Sequence, residues 1–339
     1  MQISFDATQI RRGALFFAAI GVPVVFAVLR GDPQQAQLGA VLGLTLAFAD
    51  NDKDLPRRLR LVVADGAGIA LGAAAGFLVR NFAAATWPSF IVIAFATGLS
   101  ARRGRETLIV ARNAAMAFAV GGTMPAFDMQ QIWYPLGVLL AVVAARAVDH
   151  WLCGPLPLVI VAPTQRPSGY GGWLRFACAY AVASTMGLWV GNSLDPTHRF
   201  WIVITTLLVM LPDANASYRR IVERIAGTSA GVVAAWAITV GTDSMTLISF
   251  AILIVAPFIP HHIGDRYWLH TALIALVVML AYDLTALRLQ GVSAESMADL
   301  LMERMKDILI GCAMALIGTI VAFPRDPAIS GAGVPPEMR

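Results

Sequence analysis

The sequence predicts an all-α, polytopic integral membrane protein of about 12 transmembrane helices, built as two parallel-oriented six-helix repeats. Three observations lead there. Charge is scarce along the whole chain, the apolar runs do not alternate, and one pattern of residues recurs in each half. Of the 339 residues, 58% are hydrophobic and 14% charged, against about a quarter charged in a soluble domain. A single anchor would leave ordinary composition elsewhere, so the deficit requires many spans. Runs such as "ALFFAAIGVPVVFAVL" lack the alternating polarity of barrel strands.

In chain order the apolar segments are 13–29, 37–49, 61–79, 87–100, 107–124, 132–152, 173–191, 200–212, 225–240, 246–260, 267–284 and 307–323. The first follows Arg11 and Arg12 and is long enough to stay in the membrane as a span rather than be cleaved as a signal. Segments 37–49, 87–100, 200–212 and 246–260 fall below the roughly 18 residues of a secure span. Ten spans with re-entrant pieces is therefore the alternative count. With a cytoplasmic N-terminus, 17 of the 25 Lys and Arg residues fall on the cytoplasmic side and six on the other, with Arg112 and Arg146 inside spans. That bias expects both termini in the cytoplasm.

The recurrence lies between "LTLAFADNDKDLPRRLRLVVADGAGIALG" (44–72) and "TLLVMLPDANASYRRIVERIAGTSAG" (206–231). Both give a short apolar run, an aspartate, a polar turn, an arginine pair and a helix with glycine at i and i+4. In this reading Asp50 answers to Asp213, and Gly68 and Gly72 answer to Gly227 and Gly231. Six spans per copy is an even number, so the copies share one direction. The expected organisation is a first repeat over 1–161, a Pro/Gly/Ser linker over 162–172, a second repeat over 173–325 and a cytoplasmic tail over 326–339.

Several side chains stand out against this background. Arg220, Arg224, Gly227 and Gly231 share one helix stripe; glycines at that spacing let membrane helices pack closely, and Thr228 adjoins them. The arginines read either as topology anchors or as an anion-attracting mouth. In the first copy Asp65 takes the place of Arg224, so the two could pair if the glycine stripes meet where the copies join. Asp50 and Asp213 end short segments, and paired short segments point to a transporter's site. With Pro212 and Asn215 nearby, Asp213 is either a protonatable coupling carboxylate or a helix cap. Arg112 lies inside a span, where an ionisable residue is functional by default; a guanidinium there suits a carboxylate, and snorkelling is the alternative. Arg146 with Asp149, and Arg304 with Asp307, form i, i+3 pairs in which the charges could offset each other. Asp283 and Trp201 read as interfacial.

Other chemistries find no support. Cys153, Cys178 and Cys312 have no CxxC spacing, and His261, His262 and His270 have no carboxylate at a ligand spacing. HExxH and phosphate-loop motifs are missing from the sequence. No enzyme activity, cofactor or metal is expected, and a net charge of +4 requires no nucleic acid.

The stretch "FWIVITTLLVMLPDANASYRRIVERIAGTSAG" resembles the signature of the fusaric-acid-resistance-like family, which includes the aromatic acid exporters. Trp201 and Pro212 match its first part, and Arg220, Arg224, Gly227, Thr228 and Gly231 match its Arg-x-x-x-Arg-x-x-Gly-Thr-x-x-Gly. "RMKDILIGCAMALIG" is similar to the start of the family's last span through Arg304, Asp307 and Gly311. The first half matches in layout, with Leu61 and Asp65 where the second has Arg220 and Arg224. The resemblance is to a short two-repeat form without the cytoplasmic domain of larger members. It implies a bacterial inner-membrane exporter of small organic, often aromatic, acids, driven by protons. Arginines would bind the anion, and an aspartate would carry the proton. The lipid bilayer and a small organic anion are the implied partners. Exporters resembling this chain often work with a periplasmic membrane-fusion subunit, and a homo-oligomer would fit a passive anion channel, the second reading. A non-transporting membrane scaffold is the third.

Overall fold

The computed structural model describes residues 7–49, 54–124, 126, 130–156, 167–194, 200–242, 244–262, 266–289 and 294–323, with the side chains of 130–131, 262, 286–289 and 294–301 outside that description. Among the described residues the chain is helical and forms no strand. The first six helices are α1 (Ala7–Leu29), α2 (Pro33–Phe48), α3 (Leu55–Val79), α4 (Ala83–Ser100), α5 (Arg105–Gly121) and α6 (Gln130–Cys153). The next six are α7 (Gly169–Leu194), α8 (Phe200–Val209), α9 (Ala214–Gly241), α10 (Met245–Val255), α11 (Tyr267–Leu289) and α12 (Ala294–Ala322). A 3-10 turn extends α4 through Arg103, and another carries α10 on to His262.

Local chemistry sets many of the helix ends. Asp32 accepts from the Gln35 amide at 3.0 Å, with Pro33 opening α2; Asp213 accepts from the Ala216 amide at 3.0 Å at the start of α9. Both satisfy an amide that the first turn would otherwise leave unbonded. Gly154, at φ 70°, follows α6 and returns its amide to the His150 carbonyl at 2.8 Å, a left-handed close that glycine makes without strain.

Among the described residues, seven helices are long and apolar enough to cross a membrane: Ala7–Leu29, Leu55–Val79, Ala83–Arg103, Ile132–Cys153, Ala214–Gly241, Tyr267–Thr285 and Met302–Ala322. The segment expected at 87–100 starts earlier and continues through its 3-10 turn, so it reaches span length. By contrast α8 has 10 residues, about 15 Å at the helical rise, or half of a hydrocarbon core of about 30 Å. The short second and eighth segments are thus short helices in fact.

Helix contacts come in pairs six helices apart. The broad packing of α3 on α5 has a counterpart in α9 on α11, and α1 on α2 in α7 on α8. Between the halves, α4 packs on α7, while α10 and its 3-10 extension pack on α1; α2 meets α11, and α5 meets α8. Two apolar cores result, each drawing on both halves. One gathers α1, α2 and α6 with α9, α10 and α11, and the other gathers α4 and α5 with α7, α8 and α12.

The glycine stripes hold these pairs at backbone contact. A Cβ on Gly72 would strike the Ala114 carbonyl of α5; one on Gly227 would strike the Trp268 carbonyl and Thr271 hydroxyl of α11. Gly231 is as tightly placed against Ala272, whereas Gly68 has ordinary contacts. Each stripe therefore packs within its own half and not against the other stripe. The expected Asp65–Arg224 pairing fails for that reason, and Asp65 is bonded instead by Asn113.

Other expectations change as well. Asp54 is the N-cap of α3 as Asp213 is of α9, each at the same distance ahead of the first glycine of its stripe. Asp54, not Asp50, is the positional counterpart of Asp213; Asp50 lies outside the described residues, as does the tail 326–339. The linker's last residues belong to α7. Asp149 is held not by Arg146 but by Arg11, through two bonds of 3.0 Å, and by the buried Arg58 at 3.4 Å. Arg146 instead donates to the carbonyls of Val142, Leu46 and Ala47. Asp283 is buried and accepts from Thr239 at 3.2 Å, because α11 runs past it.

A Gly227→Ala change should lower the thermal midpoint in detergent by several degrees, since overpacking of this kind costs about 1–3 kcal/mol. Gly171→Ala, where an added Cβ meets open space, serves as the control. Equal melting of Gly227→Ala and the wild type would refute the backbone contact.

Candidate functional site

Four helices of the second half converge on a cavity of about 50 Å³. Its polar wall comes from Trp201 and Thr205 of α8, Arg224 and Thr228 of α9, and Arg304 and Asp307 of α12, while α11 supplies apolar side chains such as Val278 and Met279. Small residues bring these walls together. Gly227 and Gly231 seat α9 on α11, and Gly311 seats α12 on Thr205 and the Ile202 carbonyl. Because Arg224 and Thr228 share the flank of the glycine stripe, the packing that closes the bundle also points this flank at the cavity.

The electrostatics are asymmetric. Nη1 of Arg304 donates to Asp307 at 3.3 Å, and its guanidinium carbon lies 4.3 Å from the Trp201 ring centre and 5.6 Å from that of Tyr282. The two rings are themselves 5.1 Å apart. Aromatic faces and one carboxylate thus balance a cation that is 2% exposed, each ring contributing up to about 2 kcal/mol where water is excluded. Arg224 has neither a carboxylate nor a ring contact among the described residues. Its buried Nε has no hydrogen-bond partner, which is also true of Arg304 Nε and Nη2, and Thr228 Oγ1 and Trp201 Nε1 have none. Each unmet buried group costs about 1–3 kcal/mol, so this wall is chemically incomplete as it stands. A carboxylate would supply acceptors for it.

A second cluster lies toward the start of α9, where the halves meet. Arg220 stacks on Tyr267 at 4.8 Å and feels the charges of Arg105 and Arg112. Arg112 is half-buried, with an unpartnered Nε, and lies within electrostatic reach of Asp65, Tyr180 and Tyr267. Asp65 is fully buried, and the Asn113 amide donates to its two oxygens at 2.9 and 3.0 Å. Tyr180 closes the group by donating to the Leu207 carbonyl at 2.9 Å. Arg220 and Arg224 are one turn apart on α9, so that helix carries guanidinium groups from this cluster to the cavity.

Of the residues singled out from the sequence, Arg224, Thr228, Arg304 and Asp307 meet at the cavity, and Arg112, Asp65 and Arg220 meet in the second cluster. Gly72, Gly227 and Gly231 pack helices. Asp213 caps α9 and Asn215 is exposed, so neither reaches the cavity. Asn113 was missed, although a polar residue beside Arg112 inside an apolar run was a visible signal. Trp201, expected near the membrane interface, also forms part of the cavity wall. Among the described residues no group of His, Cys, Asp and Glu could hold a metal ion.

The helices and their ionisable interior define a multi-pass membrane protein. Residues 178–318 match the family described as fusaric acid resistance protein-like, so the second half of the chain, including every residue of the cavity, is similar to that family. The match points to a membrane transport or efflux role. No curated protein and no solved structure matches the chain.

Thr228→Val should melt at or slightly above the wild-type temperature in the absence of ligand, because it deletes an unbonded hydroxyl at nearly constant volume. A loss above about 1 kcal/mol in thermal unfolding would mean that the hydroxyl is already satisfied.

Proposed function

We propose that the protein is an inner-membrane secondary transporter that exports small organic anions, aromatic carboxylates among them, in a proton-linked cycle. One observation carries the reading: a small cavity in which Arg224 and Thr228 present buried, unbonded polar atoms next to the Arg304–Asp307 pair and the Trp201 ring. A guanidinium binds carboxylate through charge-assisted bonds, and an indole face accepts a ring. At about 50 Å³ the cavity has room for a few waters but not for an aromatic acid, so binding requires the surrounding helices to part. Short helices in corresponding positions, α2 and α8, are where such a bundle yields.

Arg105, Arg112 and Arg220 supply the approach, gathering anions on the side where sequence charge bias puts the cytoplasm. Asp65 is the proton-carrying group in this scheme, since it is fully buried and within reach of Arg112. The paired helix contacts support reading the chain as two repeats, and the charge bias of the sequence supports a cytoplasmic side for both termini.

The test is flux of labelled benzoate in everted vesicles. Arg224→Gln should cut energised transport at least tenfold, a charge-assisted hydrogen bond contributing about 1.5–3 kcal/mol. Asp65→Asn should abolish dependence on the proton gradient while anion exchange continues. Wild-type flux indifferent to the gradient would make the protein a passive anion channel, and no flux in any chain would favour a scaffold.

A further inference from the structure

A second concavity, sharing no lining residue with the anion site, lies at the opposite end of α1 from Arg11. Its volume is about 480 Å³, within the range of about 300–1,000 Å³ usual for small-molecule sites. Val22, Pro23 and Phe26 of α1 form one wall, and Trp133, Tyr134, Gly137, Val138 and Ala141 of α6 form the other, with Arg30 and Gln35 at the mouth. Phe26 and Trp133 are 51% and 61% exposed, which in a membrane protein means exposed to lipid. Tyr134 anchors the floor by donating to the Pro23 carbonyl at 3.0 Å.

The dimensions and the charge fit one occupant. From Arg30 back to Val22, and from Trp133 on to Ala141, the groove follows nine residues along each wall, eight helical rises or about 12 Å. Half of a hydrocarbon core of about 30 Å is little more, so the groove begins at one interface and runs through most of one leaflet. Trp133 opens α6 and Arg30 closes α1 at the same level, the arrangement of an interfacial indole and a basic anchor. Arg30 is exposed, and its guanidinium carbon sits 5.6 Å from the Phe26 ring centre. The cation therefore stands at the edge of the groove rather than out in solvent.

We propose that this groove holds one acyl chain of an anionic phospholipid, with Arg30 on its phosphate. The apolar walls take the chain, and Arg30 adds the headgroup preference. Gly137 keeps the channel open, since a Cβ there would meet nothing within 4 Å. The same fact makes Gly137→Leu a filling substitution that the fold tolerates.

The experiment is lipid retention by the purified full-length chain, read by native mass spectrometry after incubation with phosphatidylglycerol or phosphatidylcholine. The wild type should retain phosphatidylglycerol over phosphatidylcholine by about fivefold, the preference one basic residue confers near an anionic lipid. Arg30→Gln should equalise the two, and Gly137→Leu should lose one bound lipid of either kind while melting like the wild type. Equal retention by wild type and Gly137→Leu would overturn the proposal. So would a change of oligomeric state in Gly137→Leu, which would assign the groove to a second copy of the chain.

Discussion

Close approach of α9 to α11 at Gly227 and Gly231 is the constraint on which the rest of the structure depends. In lipid there is no hydrophobic gain from bringing apolar helices together, so packing must come from intimate contact and from polar bonds. Two glycines on one flank provide the contact. Their position also decides what the neighbouring residues of the same flank can touch, and those residues are Arg224 and Thr228. The first half repeats the device with Gly72 of α3 against α5, but there Asp65 occupies the flank and Asn113 bonds it. One packing motif thus serves two different electrostatic purposes, a cation left open to a cavity and a carboxylate closed by an amide.

Charge inside a bilayer is expensive, and the chain offsets it in several distinguishable ways. Asp149 takes two arginines, Arg304 takes a carboxylate and two aromatic rings, and Arg146 takes backbone carbonyls. A buried Nε without a hydrogen bond recurs in Arg112, Arg146, Arg224 and Arg304; of these, Arg112 and Arg224 make no ion pair or ring contact among the described residues. Both belong to the line of guanidinium groups that runs from the meeting point of the halves to the cavity. In the proposed transport cycle these two guanidinium groups are the ones placed to receive an anion.

Much of this was legible in the sequence because it rests on local rules. Span composition, the glycine stripes and the arginine pattern of α9 depend on residues a few positions apart, and each appears in the fold. Long-range partners were not legible. Asp65 finds Asn113 across 48 positions and Asp149 finds Arg11 across 138, whereas the i, i+3 spacing of Arg146 and Asp149 suggested a bond that helix geometry allows and tertiary contacts override. Pairing Asp50 with Asp213 makes the polar turn of the first half four residues longer than that of the second. The N-caps show that Asp54 keeps the register. Trp201 illustrates the same limit, since an indole near a span end reads as interfacial until α12 is known to lay Arg304 across it.

The most direct test compares the equilibrium affinities of benzoate and benzamide for purified wild type and for Arg224→Gln. The two ligands share a ring and differ in charge, so their ratio isolates the contribution of the guanidinium. Wild type should prefer benzoate by about tenfold or more, and the substitution should bring the ratio near one with little change for benzamide. An undiminished preference for benzoate in Arg224→Gln would contradict the account, because the anion would then be held somewhere other than the α9 cavity.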